Sequence, residues 1–112
     1  MKVNFWLTGI FIIIFTFGCG HKLEVHKWNG SIVKYEYFQD GHTKSKTNFI
    51  GDKKWGYRKV YYRQFRIRSK ENFVNDKKEG KAVTYYDKGQ KNSVIYYKDD
   101  KRVGVAKWYF SN

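Results

Sequence analysis

Six cations, Lys53-Lys54, Lys77-Lys78 and Lys101-Arg102, stand in three pairs at intervals of 24 residues, each pair behind an aspartate (Asp52, Asp76, Asp100). Ammonium and guanidinium groups in a row bind phosphates or carboxylates through their summed field. Residues suited to catalysis are sparse by comparison. His21 and His26 lie five apart with no acidic or cysteine companion at ligand spacing, and His42 sits beside an Asp40-Gly41 turn signal, so no metal site is read. Ser45, Ser69 and Ser93 recur at the same interval as the cations, as structural positions do and a nucleophile need not. The ten carboxylates are scattered through turns without a pair suited to acid–base work, and no glycine-rich phosphate loop occurs. These residues predict a non-enzyme without cofactor or metal.

Cys19 is the only cysteine, so no intramolecular disulfide can form. It ends an apolar run, Phe5 to Phe17, that follows one lysine, Lys2. A basic start, an apolar stretch and small residues before a cut read as a secretory signal peptide. Val3 to Gly18 is 16 residues, about 24 Å as a helix against the about 30 Å of a bilayer core. The run is short for a span and suits a signal helix over residues 1–18. Gly18-Cys19-Gly20 resembles the lipobox of bacterial lipoproteins, in which the cysteine is diacylated and becomes the first mature residue. Thr16 departs from the aliphatic residue usual there, and Phe17 is bulky for its place. The resemblance implies lipidation of Cys19 and a location in the cell envelope; an uncleaved anchor and plain secretion are the other readings.

Removing the signal leaves 112 − 18 = 94 residues, and because Lys2 leaves with it, the formal charge of +13 becomes about +12. That length makes one small domain with a thin core. The charge fits a polyanionic partner, although Lys, Asn, Ile, Tyr and Phe are abundant together, as a codon bias would also produce. An exported chain does not ordinarily meet nucleic acid, so DNA and RNA are set aside.

The elements that carry the cations follow from the repeat. Aligned on Gly56, Gly80 and Gly104, the chain places Tyr61, Tyr85 and Tyr109 five residues on, then Tyr62, Tyr86 and Phe110. Such self-similarity marks a repeat architecture. Each unit has no helical apolar period and is rich in Tyr, Phe, Val, Ile and Thr, so it reads as strands. The Asp-Lys-Lys-x-Gly run is one turn signal and Asp40-Gly41 or Lys88-Gly89 the other; Asn29-Gly30 supplies an earlier turn. Phe65 stands where the second signal needs glycine, so no tight turn is read there. Each unit is then one β-hairpin, and the units pair into an antiparallel meander. Proline, which would break it, is absent. Counting from each glycine, the even positions (Arg58, Val60, Tyr62; Ala82, Thr84, Tyr86; Ala106, Trp108, Phe110) are the more apolar and are read as the packed face, while the odd ones mix tyrosine with lysine. The repeated glycine is assigned to the turn.

"GKAVTYYDKGQKNSVIYYKDDKRVG" resembles the MORN-repeat variant, with its early Gly, aromatic pair, Asn/Asp-Gly and Tyr before the next turn. The resemblance covers Tyr35 to Asn112. It departs at Ile32 and Phe65, which replace Gly, and at Arg58, Ala82 and Ala106, where tryptophan is frequent. It implies a structural repeat and says little of chemistry. Chains of this kind are often small exported proteins or lipoproteins, and some carry a YwqK-type antitoxin label that implies a toxin partner.

The reading is an all-β meander of hairpins behind a signal helix: residues 1–18 the signal, 19–30 the lipidated N-terminus and first strand, 31–112 the repeat domain. The function is that of an envelope-anchored binding or scaffold module for an anionic lipid, glycan or protein partner, held to the membrane by its lipid. Lys53, Lys54, Lys77, Lys78, Lys101 and Arg102 are the binding row, although charged turns also serve solubility. An immunity or antitoxin protein against a toxin is the alternative. Self-association through the terminal strand, residues 105–110, is a further expectation.

Overall fold

The computed structural model describes residues 21–111 as one continuous stretch, with side chains from Leu23; ahead of it, residues 2–5 and 11–17 are described by backbone alone. The expected signal helix and Cys19 lie outside that continuous stretch.

Within the continuous stretch from His21, nine strands follow one another: β1 (His21–Trp28), β2 (Ser31–Tyr37), β3 (Thr43–Ile50), β4 (Lys53–Tyr61), β5 (Ile67–Val74), β6 (Lys77–Lys78), β7 (Gly80–Tyr85), β8 (Lys91–Lys98) and β9 (Lys101–Trp108). All pair antiparallel in meander order, and no helix occurs among the described residues from His21 onward. The short β6 and the longer β7 both pair with β5, so they act as one strand interrupted at Glu79.

The turns at one rim are tight. Asn29-Gly30, Asn75-Asp76 and Asp99-Asp100 each have positive φ at both residues, the primed geometry whose twist matches the flanking strands. Asn and Asp bear this conformation better than other non-glycine residues. At the opposite rim three turns repeat one hydrogen-bond pattern. The amides of Phe38, Tyr62 and Tyr86 donate to the carbonyls of His42, Arg66 and Gln90 at 2.8 Å. Gly41, Phe65 and Gly89 occupy the same place in them, all with positive φ. The tight turn not read at Phe65 is therefore present. Ladder pairing on either side imposes it, and Phe65 takes φ 67° with its ring 4.3 Å from that of His42. A bulky residue in this conformation is strained by about 1–2 kcal/mol. Phe65→Gly should raise the thermal midpoint, with a net gain of about 0.5–1 kcal/mol once glycine's greater freedom in the unfolded chain is subtracted.

The glycines that define the repeat do not sit in the turns. Gly56, Gly80 and Gly104 have φ of 98°, 79° and 70° beyond them. On β4, four steps from Lys54 to Arg58 face two on β3, from Phe49 to Thr47. On β9, four steps from Val103 to Lys107 face two on β8, from Tyr96 to Val94. Each glycine thus serves a β-bulge, where extra residues must fit and the backbone turns left-handed. The turn assignment failed because the bulge lies only a few residues past the turn.

Burial is shared between the two faces of a single-layer sheet. One face carries the cross-strand row Ser45, Val60, Ser69, Thr84, Ser93, in which Thr84 Oγ1 and Ser93 Oγ lie 2.7 Å apart. We call it the serine face; it also buries Phe73. The other, the lysine face, buries Val83 and Val94, which pair directly. The even positions are therefore not the one packed face. Neighbours along the sheet, rather than an opposing layer, cover these side chains. Tyr62 and Tyr86 are half-buried, and their hydroxyls donate to the carbonyls of Tyr85 and Tyr109 in the next unit, both at 2.8 Å. Phe110, their repeat equivalent, lies beyond β9 and is 95% exposed. Tyr61 and Tyr85 are half-buried and Tyr109 is exposed.

Candidate functional site

The aspartate turns stack directly on one another. The Lys54 amide donates to Asp76 Oδ1 at 2.8 Å, and the Lys78 amide to Asp100 Oδ1 at 2.7 Å. In return the Asp76 and Asp100 amides donate to the carbonyls of Lys54 and Lys78 at 3.0 and 3.1 Å. The period of the sequence thus becomes a physical clasp: each unit's aspartate satisfies the backbone of the unit before it, and the cation pairs behind those aspartates line one rim.

The six cations divide. Lys53, Lys77, Lys101 and Arg102 are exposed. Lys54 and Lys78 are half-buried and turn onto the serine face, with ammonium groups 5.0 Å from the ring centres of Phe73 and Tyr97, their repeat equivalents. Lys78 also makes a 2.7 Å ion pair with Glu71, which Arg58 approaches to 3.6 Å. Each ammonium group stands over an aromatic ring, and that of Lys78 has a carboxylate partner as well. Lys54 and Lys78 are therefore structural cations of the serine face.

A second set of cations was not singled out from the sequence. On the lysine face, cross-strand partners run Tyr35, Lys46, Lys59, Lys70 and then Val83, one residue from each successive strand. Three lysines stand directly opposite one another on adjacent strands. Lys46 and Lys70 place their ammonium groups 5.4 Å from the Tyr35 ring centre and 4.3 Å from that of Tyr57. On the serine face one step over, the corresponding run contains Arg58 opposite Glu71, an ion pair. The two faces thus differ: Glu71 pairs with Arg58 and Lys78 on the serine face, while the three aligned lysines of the other face make no ion pair with a carboxylate among the described residues.

The histidines are placed by structure. The His42 amide donates to Asp40 Oδ1 at 3.1 Å, and its ring packs on Phe65. His26 packs edge-on against Tyr35, 5.1 Å between centres, and lies 3.6 Å from Glu24. The Tyr37 hydroxyl donates to Glu24 at 2.7 Å. Burial, and then this carboxylate, push the Tyr37 phenol well above the ordinary tyrosine range, so it serves as a fixed neutral donor. Ser45 donates to Glu36 at 3.0 Å, and Ser93 pairs with Thr84, so these two of the recurring serines hold neighbouring strands. Among the described residues no group of three or more His, Cys, Asp or Glu side chains could hold a metal ion.

No protein-family model matches the chain, and no curated protein matches it.

Proposed function

We propose that this chain is a non-catalytic binding module of the cell envelope that sets a rim of basic turns against an anionic surface. The observation that carries the proposal is the clasped stack of turns, which brings Lys53, Lys77, Lys101 and Arg102 to one edge of the sheet. Equivalent turns two strands apart are separated by about 9–10 Å, close to the about 8 Å Debye length of physiological salt, so their fields overlap. Asp52, Asp76, Asp99 and Asp100 stand at the same turns and lower the rim's net charge; the carboxylates of Asp76 and Asp100 are turned along the stack, where they accept the Lys54 and Lys78 amides. A lipid on Cys19, as the lipobox resemblance implies, holds the rim close to phosphate-bearing headgroups, where each cation contributes about 1 kcal/mol. The MORN-like pattern supports a structural rather than catalytic role.

The chain from Gly20 to Asn112 should bind anionic vesicles strongly at low salt, weakly at high salt, and neutral vesicles little. Changing Lys53, Lys77, Lys101 and Arg102 to glutamate should remove that binding while circular dichroism stays unchanged. Lys54 and Lys78 are left intact because their ammonium groups serve the serine face. Sedimentation with vesicles reads the result; binding indifferent to salt or to the four changes leaves these residues a solubility role only.

A further inference from the structure

The lysine ladder poses an energetic question. Like charges directly opposite on adjacent strands destabilise a sheet, yet Lys46, Lys59 and Lys70 occupy consecutive positions of one cross-strand row. All three are half-buried, their stems lying along the sheet and the Lys46 and Lys70 ammonium groups over the Tyr35 and Tyr57 rings. No ion pair joins any of them to a carboxylate among the described residues. Two acidic groups beside the row have partners of their own: Glu24, opposite Tyr35, accepts from Tyr37, and Glu79, in the depression that Lys70 lines, accepts the Asp99 amide at 3.1 Å. Shallow depressions follow the row. Tyr57 and Lys70 line one, Tyr57 with Lys46 and Lys59 the next, and Lys46 with Tyr35 and Tyr61 a third.

From this juxtaposition we infer that the lysine face binds an acidic polysaccharide laid across the strands, its carboxylates paired with Lys46, Lys59 and Lys70. The inference rests on the reading of the chain as a binding module for an anionic partner, and adds a second surface and a ligand class to it. Strand spacing puts successive lysines about 4.8 Å apart, suited to a linear glycan carrying one acidic group per sugar. A flat bilayer reaches such a recessed row poorly, whereas a single extended chain can lie along it. A single-stranded nucleic acid needs free aromatic faces on which to stack bases, and the Tyr35 and Tyr57 rings already carry lysine ammonium groups. A sheet resting on its basic rim leaves this face upright and open to glycan.

The test uses the full chain in neutral detergent, titrated with polygalacturonate, neutral dextran, a single-stranded oligonucleotide and anionic vesicles. Polygalacturonate should bind in a salt-sensitive manner and dextran should not. Lys59→Gln should weaken binding about fivefold, and Lys46→Gln with Lys59→Gln and Lys70→Gln about a hundredfold, as charged contacts of ordinary strength imply. A second readout separates a ligand site from a structural role: because repulsion is relieved, the triple variant should melt at or above the parent temperature. Absence of polygalacturonate binding, an unaffected triple variant, a triple variant that melts lower, or tighter binding of the oligonucleotide each overturns the inference. If glutamate at Lys53, Lys77, Lys101 and Arg102 abolishes vesicle binding while the ladder variant leaves glycan binding unchanged, the ladder fails and the rim reading stands.

Discussion

Phe73→Ala should abolish cooperative folding. Among the residues whose side chains are described, Phe73 is the largest of four buried apolar ones, with Val25, Val83 and Val94, and is only 5% exposed. Its neighbours Gly56 and Lys78 lie across from it on both sides, and the Lys54 ammonium stands 5.0 Å from its ring centre. Truncating such a ring costs about 3–5 kcal/mol, against a total stability that is about 5 kcal/mol at the low end for small domains. A single-layer sheet has no opposing layer to collapse into the space. Lys81→Ala, at an exposed position of the next unit, should stay within about 0.5 kcal/mol of the parent. Tyr86→Ala should fall between them, since Tyr86 is half-buried and loses its bond to the Tyr109 carbonyl. Equilibrium denaturation ranks the three; a Phe73→Ala variant as stable as Lys81→Ala would place the core elsewhere.

The second large effect belongs to Gly56. Its φ of 98° is left-handed, and a Cβ there would lie 3.3 Å from Asn48 Nδ2 and 3.5 Å from Asn48 Cβ. Gly56→Ala adds backbone strain of about 1–2 kcal/mol to a close contact across the bulge, for a total near 2–3 kcal/mol. Gly80 has φ 79° and open space where its Cβ would go, so Gly80→Ala should cost the strain alone, about 1–2 kcal/mol. The difference appears as unequal urea midpoints at equal slopes. Equal midpoints would show that Asn48 yields freely, and a neutral Gly56→Ala would be incompatible with a bulge at that position.

The meander of hairpins was legible because it depends on local signals at a constant period. Asn29-Gly30 and the aspartate turns announce themselves by residue type, and the pairing of neighbouring strands follows. The turn at Phe65 was not legible, since the ladder on both sides, a non-local constraint, overrides a local preference. The lysine ladder was hidden by the bulges. Counting back from the Gly51-Asp52 turn, with Ile50 opposite Lys53, would pair Lys46 with Tyr57; the two extra residues around Gly56 bring Lys59 there instead. Recognising those glycines as bulge residues rather than turn residues would have exposed the ladder. The division of the rim cations was equally hidden, because adjacent lysines on a strand point to opposite faces and only the side-chain packing shows which one finds Phe73 or Tyr97.

The account centres on the orientation of the sheet, standing on its basic rim against an anionic surface. Spin labels on the chain from Gly20 to Asn112, which holds no cysteine of its own, measure this directly. Val74→Cys puts a label beside the Asn75-Asp76 turn, and Gln64→Cys puts one in the turn at the opposite rim. With a paramagnetic ion chelated at the headgroups of anionic vesicles, the label at position 74 should relax much faster than that at 64, and the difference should vanish in high salt. Faster relaxation at position 64, or equal relaxation at both on vesicles that bind the protein, would contradict it.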